Sequence, residues 1–141
     1  MKIIQCKCAD KWQDWAPLVL RIVVGVTFLV HGYLKVGDPA QFIGFLTSLG
    51  VPVAAFFGWL VILLELIGGI LLILGLGTHW LAKLFAIEMI AAIFLFHLPN
   101  GFLATKGGYE FVLLLLAAAI SLMITGAGQY SLDSKFCKDQ V

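Results

Sequence analysis

Arg21 and Glu65 lie deep inside apolar runs long enough to cross a bilayer. A charge there costs roughly 2.5–3.5 kcal/mol on insertion scales, so a chain that keeps one has a use for it. A second polar set falls near the outer ends of the runs: His31, Lys35, His97, Tyr109 and Glu110. Lysine can hold an anion or a quinone oxygen. Histidine donates hydrogen bonds or carries protons near neutral pH, and glutamate accepts protons. Together the five suit a quinone head-group pocket with a proton path. They also suit a haem with His31 and His97 as axial ligands, or an anion port. Taken singly, each has a plainer explanation. A histidine at a helix end is usually satisfied at the interface, and a lysine there usually snorkels.

These residues are positioned by the apolar runs. The chain has 141 residues, 62% of them hydrophobic, with a mean hydropathy of +1.05, which fits a polytopic membrane protein and not a soluble domain. A span needs about 20 mostly apolar residues. Four runs qualify, at 16–36, 53–75, 79–98 and 108–127. They read as helices, because a small barrel would alternate in hydropathy instead of running apolar throughout. The first run is too long for a cleavable signal and carries Arg21. The expected fold is therefore an all-α bundle of four transmembrane helices.

Between the first two spans, Asp38 is placed to cap a short helix that begins at Pro39. Phe42, Ile43, Phe45, Leu46 and Leu49 share one face, as an interfacial amphipathic helix requires. Orientation follows from the basic residues: Lys2, Lys7, Lys11, Lys83, Lys135 and Lys138 on one side, Lys35 and Lys106 on the other. Both termini are then cytoplasmic. The domain layout becomes a cytoplasmic tail at 1–15, a membrane domain at 16–130 and a second cytoplasmic tail at 131–141. Trp12, Trp15, Trp80 and Tyr130 form an inner aromatic belt.

In the first span, Arg21, Gly25, Phe28, Gly32 and Lys35 share one stripe, which must face the bundle interior. Gly25 and Gly32 leave room for another helix or for a ligand. Small residues at 54/58, 68–69 and 117/121/125 mark close-approach faces. Arg21 and Glu65 differ in depth by on the order of 8 Å, a gap that two long side chains bridge. The sequence thus predicts an Arg21–Glu65 ion pair inside the bundle. Glu88, in the middle of the third span, either joins that pair or faces an oligomer partner. Phe28-Leu29-Val30-His31 and Phe94-Leu95-Phe96-His97 hint at a two-plus-two internal repeat, against which stands coincidence in so biased a composition.

Cys6, Cys8 and Cys137 sit in the tails, and their odd number and cytoplasmic placement argue against a disulfide framework. The Cys6–Cys8 spacing is tighter than that of zinc pairs, so no metal site is expected. A net charge of +1 gives no basic field for nucleic acid. No nucleophile–base–oxyanion set suggests hydrolysis.

The ordered series Arg21…Gly25…His31-Gly32-x-x-Lys35, Glu65-Leu66-Ile67-Gly68-Gly69, His97-Leu98-Pro99-Asn100-Gly101-Phe102, Gly107-Gly108-Tyr109-Glu110 and Gly126-x-Gly128-x-Tyr130-Ser131-Leu132-Asp133 resembles the DoxX family over about 17–133. The resemblance implies a four-helix protein of the bacterial or archaeal inner (plasma) membrane. The family is named for a subunit linked to an archaeal terminal quinol oxidase and thiosulfate:quinone oxidoreductase. Other members are membrane partners of soluble redox and thiol-handling proteins. The expected function is a membrane subunit of a quinone-linked oxidoreductase, a component and not a free-standing catalyst. A soluble partner would carry the redox centre, and a homo-oligomer is compatible. The alternatives are a non-catalytic scaffold for such a partner, or a carrier of small solutes or lipid-like molecules.

Overall fold

The structure, a computed structural model, describes residues 15–136. Cys6, Cys8 and Cys137, with the tail roles considered for them, lie outside the described residues. Within that range the chain is helical, with no strand. Helix α1 is Trp15–Gly37, α2 Pro39–Ser48, α3 Ala54–Leu63, α4 Gly69–Leu74, α5 Thr78–Ala92, α6 Glu110–Thr125 and α7 Leu132–Phe136. A π-helical turn at Leu64–Gly68 joins α3 to α4 in one continuous rod, and another at Ile93–His97 extends α5.

Three helices are long and apolar enough to cross a membrane: Trp15–Gly37, Ala54–Leu74 and Thr78–Asn100. A fourth apolar helix, α6, is 16 residues long. Asp38 caps α2 as its sequence suggests, its carboxylate accepting from the Gln41 amide at 3.0 Å, with Pro39 in the first turn. Ile43 of α2 then meets α3 at Gly58, where a Cβ would come within 2.7 Å of it.

The core is apolar packing between α1, the α3–α4 rod, α5 and α6. Phe28 and Phe85 are both fully buried and stack with centroids 3.8 Å apart. Val24, Leu72, Ala82, Met89, Val112 and Leu122 surround them. The room beside Gly25 and Gly32 is taken by a helix, as one of the two expectations held. A Cβ on Gly25 would sit 2.8 Å from the Gly69 carbonyl oxygen, and one on Gly32 would sit 2.8 Å from the Leu66 amide nitrogen. Lateral close approach of this kind is how helices associate in a bilayer, where burial of apolar surface drives little.

The near end of the bundle holds the start of α1, the Gly75–Gly77 turn and the segment after α6. The far end holds α2 and the loop from Leu98 to Tyr109. Trp15, Trp80 and Tyr130 all stand at the near end, Trp15 and Tyr130 with ring centroids 4.9 Å apart. Lys83 lies over the Trp80 ring at 4.2 Å.

Candidate functional site

The Arg21–Glu65 pair does not form. Arg21, 1% exposed, donates from Nη1 to the Ala127 carbonyl at 2.9 Å and from Nη2 to the Tyr130 carbonyl. It thereby ties α1 to the segment after α6. Asp133 completes this near-end clasp. Its carboxylate accepts from the Gly77 and Thr78 amides at 2.7 and 3.0 Å, capping α5, and its own amide donates to the Gly75 carbonyl at 2.9 Å. An anion is favoured at that helix start.

Glu65 pairs with Lys35. The lysine Nζ lies 2.5 Å from both carboxylate oxygens, with the Glu65 side chain 3% and the Lys35 side chain 22% exposed. The cause is side-chain direction. Every Cα–Cβ bond on a helix tilts toward that helix's N-terminus. Helix α1 runs from the near end to the far end, so Arg21 leans toward the near end and Lys35 leans down into the bundle. The α3–α4 rod runs the other way, so Glu65 leans up toward Lys35. Axial rise fixes only the depth of each Cα and does not contain this direction. Gly32 lets the two backbones meet beside the pair, and the Phe42 ring covers Lys35 from α2, 5.1 Å from its Nζ.

Glu88 joins the carboxylate, one of the two roles open to it. Its carboxyl interacts with that of Glu65 and with Lys35. Its Oε2 is buried and has no hydrogen-bond partner. A signal for this was present in the sequence. Glu65 lies ten residues before Gly75 and Glu88 ten after Thr78, so both stand about 15 Å from the near end. Glu65 sits within a π-helical turn, a local widening often found at functional positions.

The outer set is arranged more locally. His31 is exposed, its Nδ1 donating to the Thr27 carbonyl of its own helix at 2.8 Å, with Phe111 at a ring distance of 6.4 Å. His97 Nδ1 donates to the Gly107 carbonyl at 2.7 Å, closing the far-end loop. Glu110 accepts from the Ala104 amide at 2.9 Å. Tyr109 is half-buried, its ring edge-on to Phe102. No hydrogen bond or ion pair links any two of His31, Lys35, His97, Tyr109 and Glu110 among the described residues. With Nδ1 of both histidines committed to a carbonyl, each Nε2 is the nitrogen left to accept a proton or bind a ligand. An apolar groove on α3, lined by Ala55, Phe56, Trp59, Leu60 and Leu63, includes none of these residues. No group of three or more His, Cys, Asp or Glu is placed to hold a metal among the described residues.

The DoxX family model matches residues 16–98, more than half of the chain. The chain belongs to the DoxX family. It is 38% identical to a Bacillus subtilis (strain 168) protein named "Putative oxidoreductase CatD", over 88% of this chain and 89% of that one. It is 34% identical to an uncharacterized membrane protein of Mycobacterium tuberculosis, over 86% and 81% of the two chains. It is 33% identical to an inner membrane protein of Escherichia coli (strain K12), over 87% and 93%. No solved structure is significantly similar to it. Within this DoxX-family chain the matched region holds Arg21, Lys35, Glu65 and Glu88, and the Asp133 clasp lies beyond it.

Proposed function

We propose that this protein is the membrane subunit of a quinone-linked oxidoreductase system, with its polar groups at the outer face of the inner membrane. The observation that carries the reading is the Lys35–Glu65–Glu88 centre, in which Glu65 and the Oε2 of Glu88 are buried, since ionisable groups kept inside an apolar bundle mark proton or substrate paths by default. The oxidoreductase name of the Bacillus relative supports the redox half. On this reading α6 is the fourth span and α2 lies at the interface. Both termini face the cytoplasm, and 16–130 is the membrane domain. A quinone head group would lie at the far end. Lys35, Tyr109 and the two histidines would contact it, and Glu110 would hold the loop in place. A free Nε2 suits a quinol hydroxyl, which donates. The quinone would supply two-electron, two-proton chemistry, and a soluble partner the redox centre.

The test is an absorption spectrum and mass spectrometry of the organic extract, on protein purified in mild detergent from its native membrane. Stoichiometric quinone, lost in His31→Ala and His97→Ala proteins, is the expected result. Absence of quinone, with both variants behaving as wild type, would overturn it. A Soret band would instead point to a haem.

A second reading is favoured by one observation: His31, His97 and Glu110 are each satisfied within their own segment. On that reading the protein is a scaffold for a soluble redox or thiol-handling partner. Pull-down of one partner that is indifferent to His97→Ala would support it.

A further inference from the structure

We propose that Glu65 and Glu88 share one exchangeable proton inside the bundle, beside Lys35. The inference does not depend on a quinone.

The charge balance of the centre requires a further positive charge. Two carboxyls and one ammonium face each other between α1, the α3–α4 rod and α5. The ammonium is committed to Glu65, with both carboxylate oxygens 2.5 Å from Nζ. Glu88 Oε2 is buried and receives no hydrogen bond. A second ionised carboxylate would therefore stand unpaired beside the first, away from water, which is costly. A carboxyl that carries a proton becomes a donor, and it can then bond to its ionised neighbour. With one proton the centre is neutral and the two carboxyls attract. Without it they repel.

The other titratable groups of α1 and α5 are engaged or exposed elsewhere: His31 bonds to the Thr27 carbonyl, Tyr33 is exposed, His79 bonds to the Met123 carbonyl and Lys83 lies over Trp80. Helix α2 contains no ionisable residue, and α6 contains none after Glu110. Arg21 is engaged at the near end, four turns away along α1. Phe28 and Phe85 close the centre below, and Phe42 lies over Lys35 above. The site binds and releases a proton only: no electron moves, and no covalent bond to carbon changes.

Dicyclohexylcarbodiimide tests this on the full chain in liposomes. The reagent partitions into the bilayer and adds a protonated carboxyl across one C=N bond. The carboxyl oxygen bonds to the central carbon, the proton goes to a nitrogen, and nothing is oxidised or reduced. The expected result is one adduct per chain, mapped by peptide mass spectrometry to Glu65 or Glu88, forming more slowly as pH rises. Glu88→Gln should abolish the adduct, because Glu65 then stays ionised against Lys35. Infrared spectroscopy of the wild-type protein gives a reading that no variant's folding can disturb. A protonated-carboxyl C=O band should persist in deuterated buffer at neutral pD, shifted by slow exchange. No adduct on either glutamate together with no such band would overturn the proposal, as would equal labelling of Glu65 in Glu88→Gln protein.

Discussion

Lys35 on α1 and Glu65 on the α3–α4 rod point toward each other along antiparallel helices, whereas Arg21, on the same stripe as Lys35, points away. The first prediction follows from that geometry. Removing one partner of a buried pair leaves an uncompensated charge, at a cost of about 3–5 kcal/mol. Lys35 is 22% exposed, so its loss belongs at the lower end. Lys35→Met and Glu65→Gln should each lower the thermal midpoint in detergent. The double variant should recover part of the loss, because neither charge is then stranded. Additive losses in the double variant would show that the two residues do not act as a pair.

Arg21 should behave differently. Its partners are backbone carbonyls of the segment after α6, so Arg21→Met should loosen that segment without disturbing Glu65. Hydrogen exchange at 127–136 should rise markedly, while the middle of α5 stays protected. Arg21→Lys should rescue poorly, since an ammonium cannot reproduce the two-pronged reach of a guanidinium. Unchanged exchange near Tyr130 would rule out the tether.

Asp133 caps a helix from a distance of fifty-odd residues in sequence, through the Gly77 and Thr78 amides. Loss of a capping side chain costs about 1 kcal/mol, within a range of about 0.5–2. Asp133→Ala should lower stability by that amount, and Asp133→Asn should recover little of it, because a carboxamide has one accepting oxygen for two amides. Unfolding midpoints of the two variants, compared with wild type, check this directly.

Much of this arrangement was legible in the chain. Three spans follow from length and hydropathy, and the α2 cap from Asp38-Pro39. The interior stripe of α1 follows from Arg21, Gly25, Phe28, Gly32 and Lys35. Lys35 and Glu65 were each singled out, but their partnership was not. Partner choice depended on the direction in which a side chain leans, and helical spacing alone does not contain it. For Glu88 the sequence leaves two roles open, the interior pair or an oligomer face, because helical spacing does not say which neighbour a face meets. Asp133 left no local trace, because its partners are amides of a turn far away in sequence.

The last prediction concerns the glycines at the α1 crossing. A Cβ on Gly69 would stand 2.9 Å from the Gly25 carbonyl oxygen and 2.9 Å from the Leu29 amide nitrogen, and a Cβ on Gly25 would meet the Gly69 carbonyl in return. Those obstacles are backbone atoms, so no rotamer change relieves them and the helices themselves must part. Overpacking of this kind costs typically about 1–3 kcal/mol. The displacement would also pull Glu65 away from Lys35, because Gly32 and Leu66 lie on the same contact line. Gly25→Ala and Gly69→Ala should therefore lower the midpoint and also weaken the coupling measured by the Lys35/Glu65 double-variant cycle. Gly44→Ala is the matched control. Nothing lies within 4 Å of a Cβ there, and the residue is in the interior of α2. Replacing glycine by alanine at such a helical site stabilises by roughly 0.5–1 kcal/mol. If Gly25→Ala behaved like Gly44→Ala, α1 and the α3–α4 rod could not be in backbone contact, and the Lys35–Glu65 geometry would fall with that contact.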